Sequence, residues 1–255
     1  MKLSEILKFL DNMFLPRLCA LCDETISYEQ ANPFCEECMP VWEEFVKIKC
    51  TKCGKTHKDC RCLPTMVKKA SGSSAAWCVF YDSSQNGDMN RLFYRLKYKY
   101  DRCIIDFCTT KMKRKVISLC IRKKINYKSF AITYTPRRKL MAFKYGFDQS
   151  KKLAYSLGKK LNLPVIRCFE NTGKTEQKAL DLYGRVENAK KSYKYIDGSL
   201  GQYKNVFIVD DILTTGATFS ACAEILREHG AERVIPVVFA KDNYHHGTNK
   251  DNGGK

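Results

Sequence analysis

The sequence lacks any run of about 18 consecutive apolar residues, the length that a helix needs to cross a bilayer. It also lacks the pattern of a cleavable export signal, because Lys8 and Asp11 interrupt the apolar positions of residues 1–18. We therefore expect a cytoplasmic protein without a membrane span, in which the 14 cysteines stay reduced. The apolar residues of segment 3–14 recur at helical spacing, which predicts an amphipathic helix that packs on its own domain.

Acidic residues are scarce in one part of the chain. Residues 91–160 contain 21 Lys or Arg and only 3 Asp or Glu, whereas the remaining residues contain 24 of each kind. The whole formal net charge of +18 therefore lies in this basic block, where aromatic residues are interleaved with the cations. Grooves for single-stranded nucleic acid combine cations for phosphates with rings for bases, so single-stranded DNA is a candidate partner. The alternative is a solvated basic face whose rings belong to the core.

The stretch 206–218 carries the clearest chemical signal. Four apolar residues, 206–209, predict a buried parallel strand that ends at the adjacent carboxylates Asp210 and Asp211. The loop that follows has no Gly-Lys-Ser/Thr, which argues against a nucleoside triphosphatase loop here. A helix over 219–229 comes next. This order places a loop of small residues at the carboxyl end of a strand and the start of a helix, where open α/β sheets bind ligands.

The loop residues suit a phosphorylated sugar. Backbone at Gly216 and Ala217 can approach a phosphate closely, and hydroxyl groups are added by Thr214, Thr215 and Thr218. The two carboxylates would repel a phosphate, so we expect them to face sugar hydroxyls or hydrated Mg²⁺. Stretch 206–218 resembles the signature with which type I phosphoribosyltransferases bind phosphoribosyl pyrophosphate.

The rest of the chain alternates between predicted strands and helices. Further strands are predicted at 77–81, 130–134, 165–169 and 234–240, and further helices at 89–100, 103–125 and 148–161. Such alternation predicts an α/β fold with a mostly parallel sheet. The strand over 130–134 is followed by three adjacent cations, which fit the role of holding a pyrophosphate: Arg137, Arg138 and Lys139.

Eight cysteines lie before residue 63, in three Cys-x-x-Cys pairs and one Cys-x-Cys pair. Such pairs are typical of structural zinc sites, in which four thiolates leave no open position for catalysis. Sequential pairing gives one site from the first two pairs and another from the last two, so we expect one to two zinc ions: Cys19, Cys22, Cys35 and Cys38, then Cys50, Cys53, Cys60 and Cys62. An interleaved arrangement, or His57 as a substitute ligand, stays open.

The predicted domains are a small Cys-rich zinc domain over 1–64, a linker over 65–75, a phosphoribosyltransferase-like domain over 76–241 and a disordered tail over 242–255. The combination resembles the ComF family of competence proteins over about residues 1–240. The motifs that carry this resemblance are the cysteine pairs, the acidic loop, Pro136-Arg137-Arg138, Gly146-Phe147-Asp148-Gln149, and Gln177, Leu180, Arg185 and Asn188. The segment around Gln177 is expected to cover the site as a mobile lid.

The resemblance implies a role in natural transformation, with binding of phosphoribosyl pyrophosphate and Mg²⁺, handling of incoming single-stranded DNA, and a helicase or recombination protein as a further partner. Asp210, Asp211, Arg137 and Arg138 would then be the catalytic residues of any turnover. The alternative is an active phosphoribosyltransferase with a nucleobase, amine or other acceptor. Where the family usually has Arg-Gly-Phe-Asn-Gln, this chain has Tyr145 and Asp148 at the first and fourth positions, which should weaken its grip on a polyanion.

Overall fold

The computed structural model of the protein describes residues 17–27, 29–82, 87–173 and 189–243. The predicted helix over 3–14, the predicted lid around Gln177 and the tail from residue 244 onward lie outside these ranges. Among the described helices, none combines the length and apolarity that crossing a bilayer requires.

The strands and helices alternate, as the sequence predicts. In chain order the strands are β1 Arg17–Leu18, β2 Thr25–Ile26, β3 Val79–Tyr81, β4 Phe130–Tyr134, β5 Phe169–Asn171, β6 Tyr193–Tyr195, β7 Asn205–Leu213 and β8 Arg233–Asp242. The helices are α1 Met39–Phe45, α2 Thr65–Ser71, α3 Met89–Tyr98, α4 Arg102–Lys123, α5 Lys139–Tyr145, α6 Gln149–Leu161 and α7 Ala217–Glu228, and a 3₁₀ turn covers Tyr127–Ser129.

The main sheet has four parallel strands in the order β3-β8-β7-β4. Its central strand β7 alternates between the two faces, with Phe207 and Val209 in one hydrophobic core and Val206 and Ile208 in the other. Helices α3, α4 and α6 contribute to the first core, and α2 and α7 contribute to the second. The predicted α/β class with a mostly parallel sheet, preceded by a Cys-rich region, is therefore confirmed.

The Cys-rich region packs into both cores. Trp42 of α1 lies edge-on to Phe107 of α4, with ring centroids 5.0 Å apart, and its ring stacks against Phe239 of β8. Cys19 belongs to this first core, whereas Cys50 and Cys60 belong to the second core with Val67 of α2. The region is thus anchored on both faces of the sheet by apolar contacts, which resist separation in water.

Four segments differ from the sequence prediction. The segment 65–75, predicted as a linker, contains α2, whose Val67 is fully buried, so it is a packed element. Strand β7 does not stop at the carboxylates, because its pairing with β8 continues to Leu213. The predicted tail begins too early at 242, because Asn243 is buried and accepts a hydrogen bond from the Thr51 backbone amide (3.1 Å). The predicted strand over 165–169 appears as one bridge between Val165 and Ile132, followed by β5.

Helix α2 explains why residue 216 is a glycine. Gly216 has φ +82° and precedes α7, and a Cβ atom placed there would lie 2.1 Å from Cγ2 of Val67. Both the left-handed backbone and the close approach of α2 therefore exclude a side chain. The loop between β7 and α7 rests directly on the helix that follows the second group of cysteines.

A double-mutant cycle tests this contact. We expect Gly216→Ala to lower the free energy of unfolding by at least about 1–2 kcal/mol, because the left-handed conformation disfavours a Cβ atom and Val67 obstructs it. Adding Val67→Ala removes the obstruction, so the double variant should lose less stability than the sum of the two single losses, as measured by urea unfolding. Simple additivity would show that Val67 does not constrain the loop.

Candidate functional site

A cavity of about 410 Å³ opens at the carboxyl end of β7. It is bounded by β7, by the loop that follows it, and by the start of α7. Most of the predicted ligand loop lines it: Asp210, Thr214, Thr215, Gly216, Ala217 and Thr218. Thr135, which follows β4, lines it too, since β4 and β7 are parallel neighbours whose carboxyl ends lie at one edge. Asp211 is not among the lining residues.

The two carboxylates have different partners. Asp210 Oδ1 accepts hydrogen bonds from Ser150 Oγ (2.8 Å) and from the Asp211 backbone amide (2.9 Å). Asp211, which is 8% exposed, accepts one from the Ile212 amide (2.8 Å), and its other oxygen lies 3.5 Å from Gln149 Nε2. The start of α6 therefore orients both carboxylates. Sequence reasoning missed Ser150, whose only signal was its place directly after the motif that ends at Gln149.

Burial, together with the charge of the neighbouring Asp211, raises the pKa of the Asp210 carboxyl to about 8. The hydroxyl groups of Ser150 and Thr135 act in the opposite direction, because they donate to the carboxylate. No described cation forms an ion pair with either group. The site thus holds a proton near neutral pH that an incoming cation or a donor hydroxyl would displace.

The three predicted pyrophosphate-binding cations lie beside the cavity and do not line it. The Arg137 guanidinium lies over the rings of Tyr98, Tyr145 and Phe147, at 5.9, 5.0 and 5.7 Å from their centroids. Its Nη2 donates to the Lys97 carbonyl (2.5 Å), and its buried Nη1 has no hydrogen-bond partner among the described residues. Arg138 is half-buried at the start of α5, and Lys139 is exposed.

Asp148 holds the cationic turn. Its Oδ2 accepts from the Arg137 backbone amide (2.8 Å), and its Oδ1 caps α6 by accepting from the Lys151 amide (3.0 Å). A carboxylate can accept at both oxygens, whereas an Asn side chain has only one acceptor oxygen. Asn171 completes the support by donating to the Pro136 carbonyl (3.0 Å). Asp148 therefore stabilises the backbone of the turn.

The eight cysteines form two groups, each from two sequential pairs. In each group the four Sγ atoms lie within 4.8 Å of one another: Cys19, Cys22, Cys35 and Cys38, and Cys50, Cys53, Cys60 and Cys62. Four thiolates around Zn²⁺ at about 2.3 Å would lie about 3.8 Å apart, and the Cys22 and Cys35 sulfurs are 3.6 Å apart. Both groups could therefore hold zinc. His57 is not a member of the second group, and its Nδ1 lies 3.1 Å from the Val46 carbonyl.

The first pair of each group adopts the same turn. The Cys19 carbonyl accepts from the Asp23 amide (3.2 Å), and the Cys50 carbonyl accepts from the Gly54 amide (2.8 Å). Asp23 and Gly54 both have left-handed backbones, with φ +66° and +67°. Backbone amides also point at sulfur, as in the bond from Cys62 N to Cys60 Sγ (3.4 Å). Two equal turns with amide donors to sulfur favour thiolates that share a metal ion.

Metal analysis tests the two groups. We expect native mass spectrometry to find two zinc ions per chain, and Cys53→Ser to retain one of them with a lower melting temperature, because metal binding contributes to folding. Cys103→Ser, a half-buried cysteine outside both groups, serves as the matched control and should keep two ions. A folded, metal-free parent protein would contradict the assignment.

The raised pKa of Asp210 predicts how stability depends on pH. Between pH 4 and about 8 the folded protein keeps a proton that the unfolded chain loses, so the free energy of unfolding falls as pH rises. Asp210→Asn removes this loss, so we expect the variant to be more stable than the parent, by a margin that grows from pH 5 to pH 8 in thermal unfolding. The exposed Asp197→Asn is the control, and a margin independent of pH would refute the prediction.

Comparisons with known proteins agree with this geometry. Residues 146–253 match the family described as phosphoribosyl transferase domain. The chain is 25% identical over 201 residues to the Competence protein ComFC of Streptococcus pneumoniae, a match that covers 78% of this chain and 84% of that protein.

Two further relatives match over shorter stretches. Competence protein F of Haemophilus influenzae is 26% identical over 109 residues, 41% of this chain and 47% of that protein. Adenine phosphoribosyltransferase of Desulforamulus reducens is 31% identical over 94 residues, 37% of this chain and 51% of that protein. The predicted resemblance is confirmed by these matches and by the two cysteine groups: the chain is similar to ComF competence proteins, and a Cys-rich region with two four-cysteine groups precedes the part that matches the phosphoribosyl transferase domain.

Proposed function

We propose that this protein binds phosphoribosyl pyrophosphate in the cavity at residues 210–218 and takes part in natural transformation, where it handles incoming single-stranded DNA. The observation that supports the binding of phosphoribosyl pyrophosphate is the cavity itself. It combines hydroxyl groups, the backbone amides at the start of α7 and a pair of carboxylates on one central strand. A sugar phosphate needs donors for its phosphate and acceptors for its hydroxyls, and the cavity offers both.

Each part of the ligand has a proposed partner. Loop 214–218 holds the 5-phosphate, while Asp210 and Asp211 accept hydrogen bonds from the ribose hydroxyls. Arg137, Arg138 and Lys139 lie after β4, at the same edge of the sheet, and hold the pyrophosphate. Mg²⁺ bound with the pyrophosphate would neutralise part of its charge. Arg137 has to leave its ring contacts to reach the cavity, and its unpartnered Nη1 lowers the cost of that movement.

The aromatic–basic surface supports the second half of the proposal. We give this name to side chains of α3, α5, α6 and the residues directly beside these helices, three of which (Tyr98, Tyr145 and Phe147) contact Arg137. The set is Tyr94, Tyr98, Tyr100, Phe143, Tyr145, Phe147, Lys97, Lys144 and Lys152. Tyr94, Tyr98 and Tyr145 form a row with centroids 5.0 and 4.9 Å apart, and Lys152 lies 4.7 Å from the Tyr100 centroid. Tyr94, Tyr100 and Phe143 are 56, 55 and 88% exposed. Exposed rings beside cations suit the stacking of unpaired bases and the neutralisation of phosphates.

The competence role rests on the relatives. Two of them are named competence proteins, and the Streptococcus protein matches over most of both chains. Proteins that handle DNA during transformation meet it as a single strand, which agrees with the chemistry of the aromatic–basic surface. A helicase or recombination protein would be the next partner in that process, and a cytoplasmic location would follow from it.

Phosphoribosyl transfer is the second candidate function. It is favoured by the similarity to an adenine phosphoribosyltransferase. A nitrogen or oxygen of the acceptor would attack C1 of the ribose while the bond from C1 to the pyrophosphate oxygen breaks. Arg137 and Arg138 would stabilise the leaving group, and Asp210 and Asp211 would orient the ribose. Steady release of pyrophosphate in the presence of a nucleobase would favour this reading.

Calorimetry tests the small-molecule site. We expect phosphoribosyl pyrophosphate with Mg²⁺ to bind saturably to the parent protein, and at least about tenfold more weakly to Asp210→Asn/Asp211→Asn, because the ribose hydroxyls lose charged acceptors. The exposed pair Asp197→Asn/Asp59→Asn is a control of equal charge. Failure of the parent to bind would remove the small-molecule half of the proposal.

Fluorescence anisotropy with a labelled oligothymidylate tests the DNA half. We expect affinity that falls steeply with salt, and a loss of roughly tenfold for Tyr94→Ala or Tyr100→Ala, because each ring stacks on a base. Tyr155→Ala is the matched control, since that ring is 52% exposed in the basic block but lies beside Tyr134, outside the aromatic–basic surface. Equal losses of affinity in all three variants would contradict the assignment of DNA binding to the aromatic–basic surface.

A further inference from the structure

A second cavity, of about 300 Å³, lies where the chain between Cys53 and Cys60 meets helix α4. It shares no lining residue with the cavity at 210–218. Its walls come from residues 57–61, from residues 75–77 just before β3, and from one face of α4, where Lys115, Ser118 and Arg122 follow one another at helical spacing.

Four cations line this second cavity: Lys58, Arg61, Lys115 and Arg122. None of the lining residues is acidic, and none of the ion pairs among the described residues includes one of the four cations. Burial lowers the pKa of Lys115, and the neighbouring cations Lys58, Arg61 and Arg122 lower it further. Like charges that converge without a counter-charge repel one another, so the protein leaves a site that an anion would stabilise.

Trp77 gives an independent indication of a ligand. The residue lines the cavity, is only 6% exposed, and its indole Nε1 has no hydrogen-bond partner among the described residues. A buried donor without an acceptor costs about 1–3 kcal/mol, and most buried donors in folded proteins have a partner. Tryptophan can only donate, so the missing partner is an acceptor. The cavity therefore combines an unsatisfied buried donor with four cations that form no ion pair among the described residues, although Arg61 Nη1 donates to the Lys58 and Cys60 carbonyls (2.9 and 2.7 Å).

We infer that this cavity binds a phosphate group, carried either by a small phosphorylated molecule or by a nucleic-acid strand. Phosphate oxygens accept from several donors at once, so one group can engage the indole N–H, the Ser118 hydroxyl and the surrounding ammonium and guanidinium groups. Guanidinium groups such as Arg61 and Arg122 bind phosphate with two parallel hydrogen bonds. This site is separate from the proposed site for phosphoribosyl pyrophosphate, and neither depends on the other.

Tryptophan fluorescence tests the site, because the chain contains only Trp42 and Trp77. The full chain is titrated with inorganic pyrophosphate in one arm and with an oligothymidylate in the other. We expect a saturable change in emission that persists in Trp42→Phe and disappears in Trp77→Phe. A change with pyrophosphate assigns the site to small phosphorylated molecules, and a change with the oligonucleotide alone assigns it to a strand. The absence of a Trp77-dependent change in both arms would overturn the proposal.

Matched charge variants locate the anion. Lys115→Gln/Arg122→Gln should weaken binding about tenfold or more, whereas Lys113→Gln/Lys123→Gln, on the same helix but outside the lining, should keep it. In phosphate-free buffer the first pair should melt no lower than the second, because it removes cations that repel one another. Equal binding by both pairs would place the anion elsewhere, and a lower melting temperature of the first pair would give these cations a structural role; either result overturns the proposal.

Discussion

The contact between α2 and the loop before α7 is the constraint on which the rest of the site depends. Val67 approaches the backbone of Gly216 so closely that a Cβ atom at that position would lie 2.1 Å from the valine methyl group. Helix α2 directly follows the second group of cysteines, and both belong to one core with the apolar residues of α7. The loop that offers donors to a phosphate is therefore supported from behind by the Cys-rich half of the chain.

This support gives the two cysteine groups a physical role in the function of the protein. Each group is attached to a different face of the parallel sheet, the first through Trp42 and the second through Val67. Asn243, directly after β8, also connects the sheet to the Cys-rich region, because its Nδ2 donates a hydrogen bond to the Lys49 carbonyl (3.0 Å). Metal bound at the first group would fix the turns around it on one face of the sheet. Metal bound at the second group would fix the segment that leads into α2, and so would stiffen the surface on which the ligand loop rests.

The sequence predicted what depends on local pattern. The apolar run before Asp210 predicted the central strand, and the pairs of cysteines predicted metal-binding groups, because both patterns are set by neighbouring residues. The sequential pairing was one of two arrangements left open. The path of β7 beyond the carboxylates could not be predicted, since its pairing with Lys241 of β8 decides where it ends. Helix α2 was missed because only one of its three buried residues is a large apolar one: Val67, which packs against a distant glycine, whereas Ala70 and Ser71 are small. The position of Arg137 among the rings of three separate elements was also beyond local reasoning.

Hydrogen–deuterium exchange with and without phosphoribosyl pyrophosphate and Mg²⁺ tests the central claim most directly, because it locates the ligand on the intact chain. The account predicts slower exchange at the amides of residues 214–218, where the phosphate would accept hydrogen bonds, and in the turn 135–139 beside them. Protection should be smaller in β5 and β6, which pair with each other outside the main sheet. Protection confined to other parts of the chain, under conditions where the ligand is shown to bind, would contradict the account.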